Sequence, residues 1–390
     1  MMLRLLSTAL FAALLCSPAF AQDELELKSG DRKKMAKAVG SWVNAEIDQD
    51  SSDRLDAIDA ILKAMAGVNK KLKGKNLFSL ITDWKEILTA ERKYPRVKTG
   101  RVLIQSLPTS DSAEYALWVP KAYKPSKGAL PCLLLLADGG ATGASVIEAL
   151  PEGIKDSTVI LVPDFQGLTK EDLGGTARFR LLFSLAIQSQ KLRLNRDKVY
   201  LMGVGSSAPL AASLAAYMPH FFAGAAIVGE SIPADLPATN VQLAVMKEHP
   251  DLVSGWAWLS QLPPRDLAKK ELEFSLPFAE FPTVYWIVAT KFDPLGSAPD
   301  GKMAKMKVSV DRNTNTITID SEFVYQVNLM LNDSLLDLSK EVTIVRNGQA
   351  IKAKYNRGVS ALLENFKQLL FDGGAVFPVS ARGIDIPLAK

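Results

Sequence analysis

The stretch Asp197–Pro209, DKVYLMGVGSSAP, decides how the middle of this chain is read. Its first half is a short apolar run of the kind that forms a buried strand, and APLAASLAAYMP, from Ala208 onward, is dense in helix formers. Between them Gly203 to Ser207 form a sharp strand-to-helix turn. A turn of this kind that carries a nucleophile needs small residues two positions before and two after the apex, because side chains there collide with neighbouring elements. With Gly205 at the apex the flanking residues are Gly203 and Ser207, both small. Ser206 at the apex would be flanked by Val204 and Ala208, and the first condition fails. Ser207 passes for size but falls in the first helical turn. The spacing predicts Gly205 as the apex.

The same pattern extends outward. AEYALWVPKAY alternates like a strand with one exposed face, whereas LPCLLLLADGG and STVILVPDF are continuous apolar runs ending in turn residues, as buried parallel strands do. Helical patterns (ARFRLLFSLAIQSQKL, then APLAASLAAYMP) alternate with them, and Ala223–Val228 reads as a further strand. This order predicts an α/β domain over 101–301, a parallel, doubly wound sheet covered on both faces. Before it, apolar residues spaced at three and four (Met35, Val39, Trp42; Ile58, Ile61, Met65; Ile81, Trp84, Leu88) predict three amphipathic helices in a helical segment over 22–100, with Asp50, Ser51 and Ser52 as capping residues. They read as a cap or spacer packed on the next domain. Beyond 302 short strands, one helix (SALLENFKQLLF) and the hairpin signal Asn347-Gly348 predict a small β-rich C-terminal domain over 302–390.

The first 21 residues have the basic Arg4, an apolar core and small Ala19 and Ala21 before a cut, the pattern of a secretory signal peptide. The chain is therefore expected to be exported, to the periplasm or beyond the cell. No later apolar run approaches the ~18 residues needed to cross a bilayer, so no membrane span is expected. Loss of the signal removes Cys16 and leaves Cys132 without a disulfide partner. A net charge of +4 on 46 basic and 42 acidic residues is too balanced to indicate nucleic acid. With two histidines and no Cys-x-x-Cys or His-x-x-x-His, no metal site is expected, and DGGATGAS (Asp138–Ser145) lacks the phosphate-binding patterns of nucleotide cofactors. No cofactor is expected. The basic cluster Asn69–Lys75, NKKLKGK, reads as a solvated helix end.

From about Tyr115 to Val228 the sequence resembles the secreted esterase-like and prolyl-oligopeptidase-like α/β-hydrolases. YALWVPKAY and LPCLLLLADGG stand in the place of the strand leading to their His-Gly-Gly oxyanion turn, LNRDKVYLMGVGSSAP in the place of their nucleophile elbow, and AAYMPHFFAGAAIVG after it. In that family a Tyr-Pro-type helix end follows about 14 residues after the serine. Counting 14 from Gly205 reaches Pro219, so the resemblance puts glycine in the serine position. The oxyanion turn reads Ala137-Asp138-Gly139-Gly140, with Gly139 and Gly140 as candidate amide donors and an acid beside them.

The family's order of serine, acid and histidine cannot be completed. His220, after the helix-ending proline, reads as a surface histidine. His249 falls near the place of a catalytic histidine, but the interval from Ser231 is too short for the strand, acid turn and helix that normally intervene. Asp235 is the only aspartate there, and Asp293 has no histidine after it. Trp256, Trp258, Tyr285 and Trp286 read as packing between domains. Three readings follow, in order: a catalytically degenerate hydrolase that binds or scaffolds; an active serine esterase or peptidase using displaced Ser206 with His249 and an unknown acid; and a structural envelope protein. A ligand, in the first reading, is a small acyl compound, a peptide or a polysaccharide.

Overall fold

A computed structural model describes residues 26–90, 94–107, 113–164, 168–169, 171–294, 297 and 301–388. The signal-peptide assignment to Met1–Ala21 lies outside them. Three helices open the chain: α1 (Ser29–Ile47), α2 (Ser51–Asn69) and α3 (Ile81–Ala90). Asp50 caps α2, its side chain accepting from the amides of Ser52 and Asp53. The basic cluster after α2 is tied by ion pairs of Lys71 with Asp31 and of Lys75 with Glu26.

The central region runs β1 (Val102–Ser106), β2 (Glu114–Trp118), β3 (Leu130–Leu136), α4 (Gly143–Ala149), α5 (Glu152–Lys155), β4 (Val159–Pro163), α6 (Thr176–Lys191), β5 (Leu194–Val204), α7 (Ala208–Tyr217), β6 (Gly224–Val228), α8 (Ala238–Leu243), β7 (Met246–His249) and α9 (Leu252–Leu259). Its seven strands are ordered β1-β2-β4-β3-β5-β6-β7. From β4 to β7 they are parallel, and β1 and β2 close one side antiparallel. Alternate residues of each strand serve opposite faces. Leu134, Leu136, Val199, Leu201 and Ile227 pack under α6 and α7, while Leu133, Leu135, Tyr200, Met202 and Val228 pack under α4, α5 and α9. Coverage on both faces is why β3 and β5 read as continuous apolar runs rather than as alternating ones.

The remaining strands are β8 (Glu271–Leu276), β9 (Thr283–Val284), β10 (Ile287–Phe292), β11 (Ala304–Asp311), β12 (Thr316–Glu322), β13 (Val324–Leu331), β14 (Val342–Arg346), β15 (Gln349–Ala353) and, after helix α10 (Val359–Gln368), β16 (Val379–Asp385). They form two sheets, β15-β14-β12-β11-β8 and β16-β13-β10-β9. The expected boundary at 302 is therefore corrected: β8 pairs along β11 and β10 along β13, so the β-rich part takes in the chain from 271. Asn347 and Gly348 turn β14 into β15, both with positive φ, as their sequence predicts. Tyr285 and Trp286 are buried in this part, which fits their reading as packing residues, whereas Trp256 and Trp258 lie half-buried along α9.

Helix α10 leaves the sheets and packs Leu362, Leu363 and Phe366 among Trp42, Met65 and Trp84 of the N-terminal helices. One ionic cluster joins these parts. Arg265, in the link from α9 to β8, pairs with Asp372 after α10 at 2.6 Å and with Asp197 of β5 at 3.4 Å, and also donates to the His220 carbonyl. Arg196 stands 3.7 Å from Asp372, and Lys85 of α3 stands 3.7 Å from Asp197. Burial alone would raise the Asp372 carboxyl, but the charges of Arg265 and Arg196 outweigh it and hold the group below its ordinary value.

Arg265→Leu, which leaves Asp372 in the interior with Arg196 as its remaining cation and removes its shorter partner, is expected to cost on the order of 3 kcal/mol, read as a lower urea midpoint. Since the native carboxyl is depressed, its stabilisation is complete above roughly pH 4 and fades as acid takes the pH down through the native value; Asp372→Asn should flatten that part of the stability profile.

Candidate functional site

Gly205 follows directly on the end of the central strand β5 and opens the turn into α7. Its φ of +54° is in the left-handed region, where residues with a Cβ are strained. Two positions earlier, a Cβ on Gly203 would stand 2.4 Å from Ala211 Cβ, which is the crowding that demands a small residue there. Ser207 is buried and fastens the turn: its hydroxyl donates to the Leu136 carbonyl at the end of β3 (2.7 Å) and accepts from the Val204 amide (2.9 Å).

Asp138 follows β3 and, though solvent-exposed, reaches over this apex. Its Oδ1 accepts from the amide of Ser206 (2.9 Å), the hydroxyl of Ser206 (2.7 Å) and the amide of Gly139 (2.8 Å). The Gly139 amide also donates to Ser206 Oγ at 2.8 Å. These donors hold the Asp138 carboxyl below the usual carboxylate range, the Ser206 hydroxyl contributing most and the two amides next. In active α/β-hydrolases, the amide after the nucleophile and an amide from the loop after the third strand together bind the oxyanion. Here those two positions are Ser206 N and Gly139 N, and one carboxylate oxygen takes both.

The same carboxylate fills the space above the apex. A Cβ on Gly205 would lie 2.6 Å from Asp138 Cγ and 2.6 Å from Oδ1. A side chain at 205 would therefore push the Asp138 carboxyl out of this position, and glycine leaves room for it.

No protein-family model matches the sequence, and no curated protein is significantly similar to it. Among solved structures, a ferulic acid esterase is similar at 16% identity, over 39% of this chain and 68% of its own, with a TM-score of 0.27. A thermostable esterase is similar at 15% identity over 41% of this chain and 60% of its own (TM-score 0.27), and an S-formylglutathione hydrolase from Agrobacterium tumefaciens at 16% over 33% and 56% (TM-score 0.28). This chain thus spans less than two thirds of the length of the latter two. Likeness this distant adds no chemistry. The strand order and the turn after β5 make the fold α/β and hydrolase-like.

The structure does not bring Ser206 and His249 together. Val204, Val228 and His249 lie in one row across β5, β6 and β7, which separates the first and last backbones by two strand spacings, roughly 10 Å. Ser206 Oγ points the other way, toward the loop after β3. His249 packs its ring 5.2 Å from that of Trp258, and its Nε2 has no hydrogen-bond partner among the described residues. Burial and then the Lys247 charge hold its pKa below the ordinary value. Asp293 accepts from the Tyr325 hydroxyl (2.6 Å) in the β-rich part, as befits a structural residue. Gly139 and Gly140 both line the cleft, but the partner of Gly139 in holding an oxyanion-like group is the Ser206 amide, which sequence reasoning missed. The family pattern itself, with an amide after the nucleophile, was the signal for it.

His220 corrects a sequence expectation. It is 3% exposed, set against Phe221 (4.7 Å between rings) and Tyr285 (6.3 Å), because the β-rich part covers the turn that was read as surface. Among the described residues no group of His, Cys, Asp or Glu is arranged to hold a metal, and no helix is long and apolar enough to cross a membrane.

The contact between Gly205 and Asp138 is measurable as a double-mutant cycle. Gly205→Ala should destabilise by about 1–3 kcal/mol, combining left-handed strain with loss of the Asp138 hydrogen bonds as the carboxylate is pushed aside. In an Asp138→Gly background the second share disappears, so the cost should fall by about 1 kcal/mol; additive effects of the two substitutions would contradict the contact.

Proposed function

We propose that this chain is a hydrolase-fold protein of esterase or peptidase ancestry that has given up acyl transfer and acts, after export, by binding. One observation carries this reading: Asp138 Oδ1 occupies both amide donors that an acyl-transfer site reserves for its oxyanion, above an apex that is glycine. Glycine offers no nucleophilic atom for a covalent step. A fixed negative charge between the two amides opposes the charge that develops in a tetrahedral intermediate. Each loss alone would disable acyl transfer, and the contact between the two residues couples them.

The cleft itself remains. A cavity of about 500 Å³ opens over Asp138, lined also by Ile104, Tyr115, Thr142, Leu168 and Ser206, which is within the range of small-ligand sites. Glu114 and Asp164 add carboxylates to its wall. Of the candidate ligands, those that donate hydrogen bonds suit this lining, a sugar hydroxyl or a peptide amine rather than an acyl carboxylate. Its amide donors are engaged within the protein.

The competing reading, Ser206 attacking with His249 as base, lacks support in the contacts of either residue. A fluorophosphonate probe separates the two. The purified protein should remain unlabelled, and short-chain p-nitrophenyl esters should be turned over no faster by the native chain than by Ser206→Ala. Labelling that vanishes in Ser206→Ala would restore the serine hydrolase and end the binding proposal.

A further inference from the structure

The central sheet has two outer strands, and they meet solvent differently. β7 carries Lys247 and Glu248 in four residues. β1, Val102–Ser106, reads VLIQS: it has no charge and no proline, and its ladder with β2 runs without a bulge. Charges, prolines and bulges are what keep an open edge from pairing with another chain. The outer strands of the β-rich sheets are protected as well. β8 has two glutamates, β15 a lysine, β16 an arginine and an aspartate, and β9 is two residues long. Among the described outer strands, β1 alone is both long enough to pair and uncharged.

The hydrogen bonds show which of its groups face outward. Leu107 N donates to Ala113 O (2.7 Å) in the register of the β1–β2 ladder, and on the far side of β2 Asp164 N donates to Glu114 O (2.8 Å). Bonded and non-bonded pairs alternate along an antiparallel ladder. The odd-numbered residues of β1 therefore bond to β2, while Val102, Ile104 and Ser106 turn their N–H and C=O groups away from it. Among the described residues, the partner these groups find is Gln105 Nε2, which donates to the Ile104 carbonyl at 3.1 Å. A flexible side chain thus stands where a neighbouring strand would.

The side chains of this edge define what fits beside it. Ile104 is 51% exposed, shares a face with Ala116 and lines the mouth of the cleft over Asp138. Glu114 lies opposite Ser106 on the same face, is exposed and makes no ion pair among the described residues. The described lining of the cleft beyond it holds no lysine, arginine or histidine. A strand added beside β1 would be two spacings from β2, so a residue opposite Ser106 would have its Cα roughly 10 Å from that of Glu114. A lysine or arginine and a glutamate together span that distance, whereas an acidic residue there would meet like charge.

We propose that β1 docks an extended peptide segment of a partner protein as an added antiparallel strand, with an apolar side chain beside Ile104 and a lysine or arginine two positions along, paired with Glu114. Backbone pairing supplies the affinity, and these two side chains supply the selectivity. The edge needs nothing of the chemistry at Asp138, so fluorophosphonate labelling of Ser206 would leave this inference standing. The probe is acetyl-TKTVTKT-amide, titrated into the isotope-labelled whole protein and followed by NMR. The amides of Val102, Ile104 and Ser106 should shift most, with half-saturation below about 1 mM. Acetyl-TETVTET-amide should bind about fivefold more weakly, and acetyl-TKTPTKT-amide, which lacks the central N–H, should leave these amides unmoved. Glu114→Lys should reverse the preference between the first two peptides. Ile104→Pro, which removes an outward N–H and spares the β1–β2 ladder, should abolish binding. If that variant fails to fold, the three peptides on the native chain and on Glu114→Lys still decide. Amides of β1 that stay put with the lysine peptide, equal binding of the proline peptide, or a preference untouched by Glu114→Lys would each overturn the proposal. So would a native dimer, seen by sedimentation, that Ile104→Pro dissociates, because a second copy would then hold this edge.

Discussion

One carboxylate oxygen organises the exposed cleft at the C-terminal end of the central strands. Asp138 Oδ1 draws together the loop after β3 and the turn after β5 through three hydrogen bonds from Ser206 and Gly139. That contact sets the direction of the Ser206 hydroxyl, engages the Gly139 amide and takes the space that a side chain at 205 would enter. In the proposed reading, a protein oxygen rests where a reacting oxygen would, and the two amides have no free hydrogen left for the charge of a transition state.

At its other end β5 is anchored by charge. Asp197 and Arg196, near its start, meet Arg265 from the link between α9 and β8, Asp372 after α10 and Lys85 from the N-terminal helices. A buried cluster like this is a poor source of net stability but an exacting one of position, because any partner left unmatched is costly. Arg265 also holds the His220 carbonyl, so the linkage that joins the two parts fixes the histidine between them.

Much of this was legible in the sequence, and for identifiable reasons. Gly203 and Ser207 around Gly205 are a local steric pattern, and local patterns survive without knowledge of the fold; the positive φ and the Ala211 contact are its structural counterpart. The direction of the Asp138 side chain was not legible, since it depends on two amides that come from segments almost 70 residues apart. His220 was misread for a related reason. Nothing near it in the chain announces that Tyr285 and the end of α10 will cover it. The start of the β-rich part was placed too late because β8 and β10 are short apolar runs, which look alike in a parallel core and in a β sandwich until their partners are known.

The most direct measurement is a pH titration of the Asp138 side-chain carbon by NMR, followed together with the amide signals of Gly139 and Ser206. If Oδ1 rests between the two amides, the carboxyl titrates below the ordinary aspartate value and both amides move with the same midpoint. An Asp138 that titrates at the ordinary value, with the two amides unmoved, would mean that the carboxylate points to solvent and the amides remain open to an oxyanion.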